Sequence, residues 1–269
     1  MKSKPKIYFV IACVICLTAG VLAGYLPGYY SGIQNQGDIL TQVSTIDAIL
    51  NGLYDGVITY GELKDYGDFG IGTFAGLDGE MVALDGEFYQ IKADGVAYPV
   101  NNAMTAPFAC VIFFDADREM PVREGMNYTQ FRDYLKGSIT EKNIFHAVKI
   151  EGSFSYVKTR SVPGQEKPYP PLVEVTANQP TFEFQDIEGT IVGFCSPEYV
   201  EGLNVPGYHL HFITADRKAG GHVLEFVVKD AKLTVDYTSE LHIILPNTEE
   251  FNSLDLTKSK KEELEEAEK

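Results

Sequence analysis

The chain has no tryptophan and only four cysteines, and its 22 Lys and Arg are outnumbered by 38 Asp and Glu, giving a formal charge of −16 over 269 residues. Cys13 and Cys16 fall in an apolar N-terminal run, which leaves Cys110 and Cys195 for the body. Two thiols exclude a disulfide framework. One bridge between them stays open, and their settings in PFACVIFF and TIVGFCSP favour buried free thiols. The shortage of positive charge excludes a nucleic-acid binder, which needs a basic face. It also requires any anionic substrate to find a locally positive site. No Gly-x-Ser-x-Gly elbow and no Cys–His pairing argues for nucleophilic catalysis. Gly70, Gly72 and Gly76 are spaced Gly-x-Gly-x3-Gly and lead into a hairpin pattern, so they are not a dinucleotide fingerprint.

Acid is also missing at the start of the chain, where none precedes Asp38. Lys2, Lys4 and Lys6 are followed by the uncharged run 7–26, IYFVIACVICLTAGVLAGYL. A basic segment before an apolar one reads as a secretory signal, and twenty such residues also suffice for an uncleaved membrane anchor. Small residues at Ala19, Gly20 and Ala23 suit cleavage near Gly24. A lipoprotein reading at Cys13 leaves too short an apolar stretch before the cysteine. Residues 1–26 are therefore expected to be a leader, 27–39 a linker, and the body an exported protein, free or tethered outside.

What is present is globular and mostly strand. Aromatic and aliphatic content (16 Tyr, 16 Phe, 45% hydrophobic) is far above that of disordered chains. A helix is expected over 44–56, with Ser44 as N-cap and Ile46, Ile49, Leu50 and Leu53 on one face. Asp-Gly at 78–79, 85–86 and 94–95 predicts hairpin turns, and a second helix is expected over 128–135. From Ala147 onward the sequence alternates like strand, as in YHLHFITA and HVLEFVVKDAKLTVDY. The Pro-rich stretch 162–173 suggests a soft boundary. The class is α+β, mostly β.

Three of five histidines fall within fourteen residues: His209, His211 and His222. Strand alternation puts His209 and His211 on one face. If His211 opposes His222 in an antiparallel hairpin, Phe212 meets Gly221, Ile213 meets Gly220, and the loop is 215–218. All three imidazoles then converge, and the glycines beside His222 leave room for a bulky group. Three neutral imidazoles with an open position suit a divalent metal, most often zinc. Three core histidines satisfied by hydrogen bonds are the plainer alternative. His146 and His242 receive no role.

Beyond this constellation the chain resembles the α-acetolactate decarboxylases. The likeness runs from about Gln42 to the C-terminus and rests on YGDFGIGTFAGLDGEMVALDGEFYQIKADG (66–95), KTRSVPGQEKPYPPL (158–172) and GTIVGFCSPEYVEGLNVPGYHLHFITADRKAGGHVLEF (189–226). The resemblance implies conversion of 2-acetolactate, a 2-hydroxy-3-keto acid, to acetoin and carbon dioxide. It implies zinc held by His209, His211 and His222, stabilising an enediolate that a glutamate protonates. By the same resemblance Glu80 and Glu268 are active-site glutamates, Thr73 lies near the substrate, and Arg160 faces the substrate or enediolate. It further implies a homodimer and two β-rich domains. These are mapped as a mixed-sheet α+β domain over 40–161, an antiparallel barrel-like domain carrying the metal over 162–250, and a tail over 251–269. Without the resemblance, Glu80 beside a turn would be a solvated carboxylate, Arg160 would suit a surface strand position, and the tail TKSKKEELEEAEK would be a frayed charge run. The rival readings are another three-histidine zinc or cupin-like enzyme, and a non-enzymatic exported binding module. The cupin reading is weakened because the acid following the histidines, Asp216, falls in the expected loop.

Overall fold

A computed structural model describes residues 38–268; the leader and nearly all of the expected linker lie outside the described residues. The first run of elements is β1 (Ile39–Val43), α1 (Ile46–Leu50), β2 (Ile58–Thr59), α2 (Tyr60–Leu63), β3 (Phe69–Thr73), β4 (Glu80–Leu84), β5 (Glu87–Ile91), β6 (Ala97–Pro99), β7 (Thr105–Ala106) and β8 (Phe108–Ile112). Then come β9 (Arg118–Pro121), α3 (Tyr128–Ser138), β10 (Phe145–Arg160), α4 (Leu172–Thr176), β11 (Thr181–Ser196), β12 (Gly207–Thr214) and β13 (Gly220–Thr238). The chain ends with β14 (Glu240–Ile244), α5 (Glu249–Ser253) and α6 (Lys261–Ala267).

Local chemistry accounts for most of these limits. Asp85 and Gly86 both take positive φ (55° and 80°) between the paired Leu84 and Glu87, the two-residue turn that matches strand twist. Gly95 turns the chain from β5 to β6. The Asp78-Gly79 turn is more elaborate, because a 3-10 turn at Ala75–Leu77 precedes it. α3 opens with a reciprocal Asn127–Gln130 capping box and runs three residues past the expected end, burying Phe131 and Leu135. α1 is shorter than expected and is capped by Thr45, whose side chain accepts from Ala48 N–H. Ser44 does not cap it: it sits at φ 62°, outside the extended geometry an N-cap uses.

A seven-stranded sheet has the order β14-β1-β8-β3-β4-β5-β6, parallel between β14 and β1 and antiparallel elsewhere. The second sheet has the order β10-β11-β12-β13-β9, and β10 also pairs with β13, so four strands form a closed ring of pairings. The sheets do not part at Val162, where the Pro-rich stretch suggested a boundary. β9 and β10 already belong to the second sheet, and β14 returns to the first. Val162 and Leu172, from the stretch expected to separate domains, are buried in one core with Leu40, Phe69 and Val192. Residues from Asp38 onward form one compact unit. Both body cysteines are free. Among the described residues no helix is long and apolar enough to cross a membrane.

Candidate active site at the junction of the sheets

The β12–β13 hairpin closes as the histidine spacing requires. His211 faces His222, Phe212 faces Gly221 and Ile213 faces Gly220. Thr214 N–H donates to Ala219 O at 2.9 Å, which leaves 215–218 as the loop. With His209 two residues before His211, the three rings lie with centroids 5.1–5.3 Å apart, and one nitrogen of each lies within 4.8 Å of the others. His211 and His222 are buried, and His209 lines a cavity.

His211 Nδ1 donates to Met81 O in β4 at 2.8 Å. A carbonyl can only accept, so the proton is fixed on Nδ1 and Nε2 keeps its lone pair. That Nε2 is buried without a hydrogen-bond partner among the described residues, 3.6 Å from Glu80 Oε2. Burial, with Arg160 adding its charge, pushes His209 down to about 3 and holds His211 and His222 well below the usual imidazole range. Neutral imidazoles, one tautomer fixed by a backbone acceptor and one orphaned nitrogen suit a divalent cation.

Every other site residue expected from the sequence reaches the same cavity, which has a volume of about 50 Å³. Thr73 and Glu80 oppose each other across β3 and β4, and Thr73 Oγ1 donates to Gly79 O at 2.7 Å, tying the strand end to the turn. Asp78, in that turn, accepts from Lys92 Nζ at 2.8 Å and Gln90 Nε2 at 3.0 Å. Arg160 pairs in register with His222, so strand pairing itself puts the guanidinium beside the imidazoles. The register irregularity between Lys158 and Thr159 places its extra residue, Leu224, on β13, while the β10–β11 register runs regularly to Arg160. Arg160 therefore keeps the face of Lys158, but it is buried where Lys158 stays partly exposed. The tail does not fray. α6 buries Leu264 and Ala267 in the main core and delivers Glu268, with Oε2 3.6 Å from His222 Nε2 and Oε1 3.9 Å from Arg160 Nη2.

The two carboxyls respond to this setting. Burial pushes Glu80 up to about 7, Arg160 opposing and Glu268 reinforcing the rise. Glu268 is raised by burial against the pull of Arg160. The glycine beside His222 opens no room for a ligand on its own side: a side chain at Gly221, which sits at φ 136°, would run into the Arg160 carbonyl of β10. The glycine serves close strand approach instead. Sequence reasoning missed the apolar side of the cavity, formed by Ile46, Ile49, Leu77, Phe108, Val162 and Leu172. Leu77 carried a hint only in the structure, where it takes φ 56°. A wider, open groove of about 660 Å³ beside β9 contains none of the site residues.

A family profile described as alpha-acetolactate decarboxylase matches residues 40–258. The chain belongs to the alpha-acetolactate decarboxylase family. It is 52% identical over 235 residues to the alpha-acetolactate decarboxylase of Methanosarcina mazei, covering 87% of this chain and 82% of that one. Its fold is similar to the crystal structure of the Bacillus subtilis enzyme, at 42% identity and a TM-score of 0.83, covering 86% of this chain and 99% of that chain. A Staphylococcus aureus protein described as similar to alpha-acetolactate decarboxylase follows at 32% identity and a TM-score of 0.79, covering 85% of this chain and 98% of that one. The profile match stops before α6, so Glu268 rests on the geometry of this chain.

Proposed function

We propose that this chain decarboxylates 2-acetolactate to acetoin and carbon dioxide at a metal held by His209, His211 and His222. The observation that carries the reading is the convergence of three neutral imidazoles, one guanidinium and two carboxyls, Glu80 buried and Glu268 half-buried, on one cavity within an acetolactate decarboxylase fold. A divalent ion, zinc being the one this donor set suits best, supplies Lewis acidity toward the substrate's oxygens when bound.

The chain's own residues account for the rest. Arg160 is the cavity's fixed positive charge and receives the substrate carboxylate in a protein that otherwise repels anions. The bond between the carboxyl carbon and C2 breaks and carbon dioxide leaves. The electron pair forms a C2–C3 double bond while the ketone oxygen becomes an oxyanion, giving an enediolate. Reprotonation at C2 restores the ketone as acetoin. Glu80 and Glu268 are the two acids within reach, and a carboxyl held on one side of the plane sets the handedness of the product. Thr73 shapes the end of β3 beside Glu80, and the apolar wall excludes water and takes the methyl groups. On this reading the ring β10–β11–β12–β13 is a barrel-like body presenting the metal, and the seven-stranded sheet contributes Thr73 and Glu80. Export through residues 1–26 and assembly as a homodimer belong to the same proposal; cell fractionation and sedimentation test them.

The direct test is acetoin formation from 2-acetolactate by protein lacking residues 1–26. Activity should be lost on chelation and return with zinc. Glu80→Gln and Glu268→Gln should each lower kcat by about a hundredfold or more, and the variant that removes the proton donor should also lose enantiomeric purity. Zinc-loaded, folded protein that makes no acetoin contradicts the proposal and favours a different substrate for the same site.

A further inference from the structure

Arg160 is only 4% exposed, so its guanidinium must be held by the protein. Such a group has five N–H donors and no acceptor. On Nη1, one donates to Gln179 Oε1 at 2.6 Å. Nη2 is 3.9 Å from Glu268 Oε1, within ion-pair range but too far for a hydrogen bond. Nε has no partner. The short hydrogen bond therefore goes to a neutral amide, although the molecule carries 38 acidic residues. Because Arg160 can only donate, the Gln179 amide must present its oxygen to it. Gln179 follows α4, where its N–H donates to Thr176 O, and its side chain does not line the cavity.

We propose that Gln179 is a positioning residue that fixes Arg160 against the cavity while leaving its charge for the substrate carboxylate. A carboxylate at position 179 would form the stronger, charge-assisted pair and offset that charge locally. A residue without an acceptor would let the guanidinium swing toward Glu268, cancelling the charge and drawing away a catalytic acid. The neutral acceptor avoids both. The inference deepens the decarboxylase reading and rests on it for the identity of the substrate.

The test compares Gln179→Ala and Gln179→Glu with the wild type in the zinc-loaded protein. Three quantities are read: KM and kcat for 2-acetolactate, the Kd of 2-hydroxy-2-methylpropanoate, and the melting temperature. The probe keeps the carboxylate and tertiary hydroxyl but lacks the ketone that accepts the electrons. Both variants should raise KM and the probe's Kd by about tenfold or more, with a smaller change in kcat and little change in melting temperature. Gln179→Glu keeps an acceptor of the same reach, so its loss reports charge and not packing. Wild-type affinity for substrate and probe, to within about twofold, in either variant overturns the assignment. So does a loss explained by unfolding alone. If the wild type makes no acetoin but both variants still weaken the probe, the substrate reading fails and the role of Gln179 stands.

Discussion

Two buried acids lie on opposite sides of the functional question. Glu80 shares its cavity with a guanidinium and three imidazoles. Asp236 is 1% exposed and makes no salt bridge among the described residues, accepting from Asp115 N–H at 2.9 Å. Burial, with Asp117, Asp38 and Asp115 nearby, pushes Asp236 up from 3.8 to about 7. A carboxyl raised on folding binds its proton more tightly in the native state. Below about pH 4 it is neutral in both states, and stability then falls as pH rises toward 7. The cost is complete above that. Asp236→Asn, which can keep the Asp115 hydrogen bond, should raise the melting temperature by a few degrees at pH 8 and leave it unchanged near pH 4. Thermal scans at the two pH values check this, and an equal shift at both would contradict the titration argument. Legibility at this scale followed geometry. His209, His211 and His222 could be placed because strand alternation and hairpin closure are fixed by spacing. Alternation puts Arg160 on the face of Lys158, but it does not tell that this face is covered at the strand end, where Arg160 meets the cavity with Thr73 and Glu80. Gln179 gave no signal, since it follows a five-residue helix just beyond the Pro-rich stretch 162–173 and carries no motif.

At the scale of elements, α6 is the segment whose role differs most from its appearance. Its sequence is a run of charge, yet Leu264 and Ala267 are spaced to share one side of a helix and both are buried. Glu268 lies one turn from Leu264, so docking of the helix and delivery of the carboxyl are one event. Lys260 bonds Glu263 Oε2 at 2.7 Å, and Ser259 Oγ donates to Glu201, where the tail crosses the body. Leu264→Ala removes the main apolar anchor of a short helix, a loss of about 2–3 kcal/mol that docking at a chain end cannot absorb. Activity should fall toward that of Glu268→Gln, and combining the two changes should add little, since both remove the same carboxyl from the cavity. Additive losses in that double-mutant cycle would show that helix and carboxyl act separately. The strands and the Asp-Gly turns were legible because their chemistry is local. The partner of each strand was not, and β10 joins the second sheet through pairings as distant as that of Phe145 with Thr238.

For the whole molecule, the site belongs to neither sheet alone. β4 supplies Glu80 and the carbonyl that fixes the His211 tautomer, β10 supplies Arg160, β12 and β13 the imidazoles, and the tail the second acid. A sequence reading can name such residues but cannot see that the hydrogen bond from His211 to Met81 ties the sheets together at the metal site. That convergence also explains why the apolar wall went unread: its members come from five separated parts of the chain and form a surface only after the sheets pack. The account stands on the metal centre. Its most direct test is a titration of metal-free protein with Zn²⁺, following acetoin formation from 2-acetolactate at each addition. Activity should rise linearly from zero and level off at one equivalent per chain, and His211→Ala should stay inactive throughout. Full activity before any metal is added, or a titration that the His211→Ala variant reproduces, would contradict it.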